Sequence, residues 1–165
     1  MITIRILTET GPKFIDEDEW ERLDTDPNKI VFRNGRYGFN CFGDCVEGES
    51  TAVHYGIGED VLLIFTAESP NGRWSYSAYY HLCGLIGQYS LGFCWAKNYG
   101  WRDEPTAVTA ALKLMRSRIE DYLSEEDVYC GISAVEKRGR LNPVLEFIEK
   151  KLKFWDPVLH QLRSN

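Results

Sequence analysis

The sequence predicts an α+β domain: an antiparallel sheet of about five to seven strands with two long helices packed on one face. Three observations predict it. Runs of period-two alternation recur through the first half of the chain, as in Ile2, Ile4 and Ile6 and again in Trp74, Tyr76, Ala78 and Tyr80. Turn signals separate these runs, so neighbouring strands should fold back on each other. Two stretches of three- and four-residue apolar spacing follow, at Pro105–Leu123 and Asn142–Trp155, and read as helices.

Taken in order, Met1–Leu7 is a half-buried strand that Gly11-Pro12 breaks. Asp16–Leu23 is a short helix with Trp20 and Leu23 turned inward. Asp16, Glu17, Asp18, Glu19 and Glu21 crowd its first turn, where the helix dipole favours acids. The cluster continues through Asp24 and Asp26 and only Arg22 opposes it, which marks it as a candidate acidic patch. Lys29–Asn40 is a hairpin, because Asn34-Gly35 between apolar runs supplies the positive φ values of a type I′ turn. An acidic, Gly-containing connection from Cys41 to Ser50 leads to a short strand at Thr51–Tyr55, which Gly56 and Gly58 end. Val61–Thr66 is continuously apolar and reads as the central strand.

Ser69-Pro70-Asn71-Gly72 should fold that strand antiparallel onto Trp74–Leu82. In Trp74–Leu82, Trp74, Tyr76, Ala78 and Tyr80 share one face, and Ser75, Ser77, Tyr79 and His81 share the other, wetter one. Gly84, Gly87 and Gly92 suggest a loose hairpin loop before a strand at Leu91–Trp95. The helix Pro105–Leu123 has Asp103 as its cap and a stripe through Val108, Leu112, Met115 and Ile119. Val128–Ile132 reads as a last short strand and Glu136–Arg140 as a basic loop. Asn142 then caps the second helix, with Pro143 in its first position and Asp156-Pro157 as its stop.

A single domain is expected for 165 residues. The net charge of -6 disfavours a general binder of nucleic acid or anionic membrane, since phosphates need a positive field. Met1–Leu7 lacks the apolar centre of a secretory leader, so the expected location is the cytoplasm of the host cell, with the five cysteines reduced.

No residue pattern carries a specific chemistry. Cys41 and Cys45 lack the second tight ligand pair of a structural zinc site, so no metal and no cofactor are expected. There is no GxGxxG, no phosphate-binding Gly-rich loop and no GxSxG elbow. Four function classes stay open. A small enzyme would need a Cys/His or carboxylate pair in a cleft. A single-strand nucleic-acid binder would stack bases on Tyr76, Tyr79, Tyr80, Tyr89, Phe93 and Trp95, between Arg33, Arg36, Arg73 and the Lys137–Arg140 cluster. An immunity or antitoxin protein would neutralise a toxin. The leading expectation is a non-enzymatic protein-binding inhibitor or regulator of a nucleic-acid-handling protein, acting through acidic and aromatic residues.

The aromatic strand Trp74–Leu82, the loop Asn98-Tyr99-Gly100-Trp101 and the sequence from Asp103 to Leu112 that opens the long helix share a pattern. It resembles small orphan accessory proteins of bacteriophages and plasmids, of the anti-restriction and anti-CRISPR kind. The resemblance covers roughly residues 72–123 and assigns no residue a role. It implies a stoichiometric inhibitor that blocks a defence nuclease by binding. The residues expected to meet a protein partner are Asp16, Glu17, Asp18, Glu19, Tyr79, His81, Tyr99 and Trp101.

Overall fold

The computed structural model describes residues 3–8, 11–23, 26–69, 72–90, 100–125 and 131–156. Its strands are β1 (Ile4–Thr8), β2 (Gly11–Ile15), β3 (Phe32–Asn34), β4 (Tyr37–Phe39), β5 (Cys45–Glu47), β6 (Ser50–Ile57), β7 (Asp60–Glu68), β8 (Trp74–Leu82) and β9 (Leu85–Ser90). Its helices are α1 (Glu17–Glu21), α2 (Glu104–Ser124) and α3 (Ala134–Trp155). The fold is α+β, but the strands form three antiparallel sheets and not one: β1-β2, β3-β4-β5 and β6-β7-β8-β9.

The four-stranded sheet is the frame. Strand β7 is the apolar run Val61–Thr66 extended at both ends, and it lies inside the sheet as its sequence predicts. One face of this sheet carries Val53, Tyr55, Leu62, Ile64, Tyr76, Ala78, Tyr80 and Leu82, all buried in one cluster with α2 and α3. Helix α2 contributes Val108, Ala111, Leu112, Met115 and Ile119, the stripe expected from its spacing. Asp103 caps it, with its carboxylate accepting from Thr106 N at 2.9 Å. At the start of α2, Glu104 accepts a hydrogen bond from buried Thr66 of β7 at 2.6 Å.

The second sheet sits on the opposite face. Tyr37 and Phe39 of β4 bury themselves against Ala67, near the end of β7. Asn34 Nδ2 donates to Glu68 O at 3.0 Å and ties the hairpin to the same end. The three-stranded sheet therefore packs against the Glu68 end of that face.

Several elements depart from the sequence expectation. Gly11 does not end the first strand; it opens β2, which pairs with β1 from Thr8↔Gly11 to Ile4↔Ile15. Helix α1 forms but buries no residue, and Leu23 is exposed. In the β3–β4 hairpin, Asn34 pairs with Tyr37, so Gly35 and Arg36 are the central turn residues. Gly35 takes a positive φ (55°) and Arg36 does not, which is the II′ pattern, not I′. The type I′ geometry occurs instead at Cys83-Gly84, between the paired Leu82 and Leu85, where both residues have positive φ (47° and 86°). Cysteine is a poor residue for that conformation. Tertiary bonds hold it there: Cys83 N donates to Asp60 Oδ1 at 2.7 Å, and Tyr122 Oη donates to Cys83 O at 3.0 Å. The next strand thus begins at Leu85; Leu91–Trp95 lies outside the described residues.

The second helix begins nine residues early. Ser133 caps α3, accepting from Glu136 N at 3.2 Å, and the supposed basic loop Glu136–Arg140 is helical. Pro143 lies inside the helix, where an interior proline costs roughly 3 kcal/mol. Burial of Leu141, Val144 and Ile148 around it offsets that cost. Gly131 and Ile132 are not strand, and the rest of Val128–Ile132 lies outside the described residues. Helix α3 stops at Trp155 before Asp156-Pro157, as read from the sequence.

Candidate functional site

Beyond the Ala67–Ser75 row, where the second sheet packs on Ala67, the strand register assigns the face that the helices leave open. Three cross-strand rows result: Thr51–Phe65–Ser77–Ser90, His54–Leu63–Tyr79–Gln88 and Gly56–Val61–His81–Ile86. None of these twelve residues is Lys, Arg, Asp or Glu, although a solvent-facing sheet surface ordinarily carries charge. Val61, Leu63 and Phe65 are half-buried, Tyr79 is 42% exposed and Ile86 is 64% exposed. Depletion of charge around exposed aromatic and aliphatic side chains is the composition of a protein-interface centre. Tyr79 and His81 lie on this face, as their period-two spacing predicts.

Where this face meets the three-stranded sheet there is a cleft of about 530 Å³. Phe65, Ser77, Tyr79 and Gln88 line one side, and Asn28, Asn40, Asp44, Cys45, Val46 and Glu49 line the other. Buried Asn40 organises the second wall. Its Oδ1 accepts from Phe42 N (3.0 Å) and Asp44 N (2.9 Å), and its Nδ2 donates to Pro27 O (2.9 Å). The Gly-containing connection of the sequence is therefore a fixed loop. Burial pushes the Cys45 thiol up to about 11 and raises the Glu49 carboxyl above its usual range. Burial raises the Cys83 thiol as well. Neither thiol is a ready thiolate at neutral pH, and no histidine lines the cleft. Among the described residues no three His, Cys, Asp or Glu side chains gather to hold a metal ion.

Helix α1 touches the loop that forms one wall of this cleft. Trp20 packs edge-on against Phe42 of the Asn40–Asp44 loop, with ring centroids 5.5 Å apart. The four acids expected to bind do not have equal roles. Asp16 caps α1 by accepting from Glu19 N at 2.8 Å, and Glu19 pairs with Lys13. Glu17 and Asp18 are exposed and make no ion pair among the described residues. Trp101 belongs to the other side of the sheet. Its backbone bridges to Trp74 and its ring lies 5.0 Å from buried Tyr76, so packing accounts for it. Tyr99 lies outside the described residues.

Most of the basic residues that a nucleic-acid groove would use are engaged separately. Arg33 clasps Glu47 at 2.7 and 3.1 Å, and Arg73 donates to Gly100 O at 3.2 Å. Lys137 is buried with its ammonium 4.0 Å from the Tyr122 ring. Arg140 holds Asp60 through two bonds of 2.9 and 2.7 Å. Tyr76 and Tyr80 are buried.

Sequence reasoning missed Asn40 and Glu49. Nothing local distinguishes them, since Asn40 bonds thirteen residues back and Glu49 matters only where two sheets meet. Compared with protein-family models, curated proteins and solved structures, the chain matches none of them. No described helix is long and apolar enough to cross a membrane.

Proposed function

We propose that the protein acts by binding, as a stoichiometric inhibitor or regulator of a nucleic-acid-handling protein such as a defence nuclease. The observation that carries this reading is the distribution of charge. Residues 16–26 hold seven acids and one arginine, a net charge equal to the -6 of the whole chain; elsewhere acids and bases balance. The acidity is thus one local segment, and α1 within it packs on the loop that borders the cleft at the edge of an uncharged, partly apolar sheet face. Such an arrangement supplies the two ingredients of a fast, specific interface: a charged rim that steers a basic surface into place, and a charge-free centre that excludes water. A protein that handles nucleic acid presents the basic counterpart, because its own ligand is a polyanion. Occupying that surface would block the ligand.

Glu17→Lys combined with Asp18→Lys tests this without touching the α1 cap or the Lys13 pair. The parent chain should retain a basic nucleic-acid-handling protein from a host lysate at low salt, and the doubly reversed variant should lose it while keeping its folded circular-dichroism spectrum. Retention of the same proteins by both chains contradicts the role of the acidic segment.

A further inference from the structure

We propose that the cleft between the two sheets receives a cationic side chain, the guanidinium or ammonium group of a basic segment of the partner. This deepens the reading above and rests on it for the nature of the partner. The cleft volume of about 530 Å³ lies within the roughly 300–1,000 Å³ of ordinary ligand sites, so it accommodates a side chain with its flanking backbone. Its lining includes two acids, Asp44 and Glu49, and no Lys, Arg or His. Glu49 is half-buried and makes no ion pair among the described residues. Desolvation without a counter-charge is what raises its carboxyl, and a cation entering the cleft would reverse that penalty.

Two arginines of the β3–β4 hairpin are engaged elsewhere. Arg33 is on Glu47, and Arg36 donates to Ser50 Oγ at 2.5 Å. The rest of the lining suits the stem and plane of an arginine. Phe65 and Val46 offer apolar surface, and the Tyr79 ring offers an aromatic face for cation–π contact. The Gln88 and Asn28 side-chain amides add acceptors for the remaining N–H groups. Cys45 stays a neutral thiol, its Sγ donating to Glu47 O at 3.3 Å, so it does not compete as an anion. Buried Asn40 holds the far wall in place before any ligand arrives.

The test is a nitrogen-15 NMR titration of the full chain with a short Gly/Arg peptide, its citrulline counterpart and free argininamide. The arginine peptide should shift the resonances of Cys45, Glu49, Tyr79 and Gln88 in a saturable way, and the citrulline peptide should not. Glu49→Gln should weaken binding roughly tenfold, the scale of one charge-assisted hydrogen bond. Tyr79→Leu should weaken it as well, and Glu146→Gln on α3 should leave it unchanged. Affinity should fall as pH drops through the raised Glu49 value in the parent and stay flatter in Glu49→Gln. Equal affinity of Glu49→Gln and parent overturns the cleft site, as does equal binding of the citrulline peptide. Argininamide binding as tightly as the peptide overturns the protein-segment assignment in favour of a small cation. Loss of peptide binding in the Glu17→Lys, Asp18→Lys variant with no effect of Glu49→Gln removes the cleft and spares the proposed function. No effect in either variant removes both.

Discussion

The two faces of the four-stranded sheet share one backbone and have opposite fates. On the covered face Leu62, Ile64, Ala78 and Leu82 are at most 1% exposed, locked between β7–β8 and α2–α3. On the open face their immediate neighbours Leu63, Tyr79 and Ile86 keep contact with solvent, and no charged residue replaces them. The alternation that makes a strand amphipathic normally ends in polar residues on the wet side. Here the polar residues are all uncharged at that face except for two histidines, and they share it with leucine, tyrosine and isoleucine. The difference separates what the fold needs from what it does not: the covered face maintains the structure, and the open face retains apolar surface that contributes little to it.

The largest expected effect breaks this comparison at its strongest point. Ile64→Ala on the covered face should lower unfolding free energy by roughly 3–4 kcal/mol, transfer and cavity terms together. Ile86→Ser on the open face should change it by no more than roughly 0.5 kcal/mol. Urea melts of both variants decide it, and comparable losses would mean that the open face is packed in the same way as the covered one.

A second substitution probes the edge where α3 closes the covered face. Burial alone would raise the Asp60 carboxyl, but the Arg140 guanidinium and the Cys83 N–H outweigh it and hold the carboxyl below its usual range. In the parent this contribution is present above the unfolded value of about 4 and fades as pH falls through the lower folded value. Arg140→Ala leaves a buried carboxylate with one N–H partner and should cost roughly 3 kcal/mol at pH 7. In that variant burial pushes the Asp60 carboxyl upward. Protonation then relieves it, so the deficit against the parent should shrink as pH drops from 7 to 4. Denaturant melts across that range check the sign; a constant deficit would show that Asp60 is not the buried charge involved.

Much of this architecture was legible because it follows from local patterning. The apolar run at Val61–Thr66, the alternation in Trp74–Leu82 and the stripe of Pro105–Leu123 each became the expected element. The errors occur where distant contacts decide. The helical register through Pro143 depends on Leu141, Val144 and Ile148 meeting the core, which overrides the usual reading of Asn-Pro as a start. The Cys83-Gly84 turn depends on Asp60 and Tyr122, each more than twenty residues away. The division into separate sheets depends on Tyr37 and Phe39 choosing Ala67 as their partner.

Of the site, the wet-face residues Tyr79 and His81 were readable from period-two spacing alone. So was the acidic segment, whose seven acids and one arginine account for the entire net charge of the chain. The cleft was not readable, because its two walls are β7–β9 and the Asn40–Glu49 stretch, brought together only by sheet packing.

The central claim is that the open sheet face and the acidic segment, not α2 and α3, meet the partner. Hydroxyl-radical footprinting of the chain, free and in complex with the protein it retains, tests it most directly. The account predicts protection of Tyr79, Ile86 and Phe65 together with Trp20, while Phe154 and Val135 of α3 keep their free reactivity. Protection of Phe154 and Val135 with Tyr79 and Ile86 unchanged would contradict it.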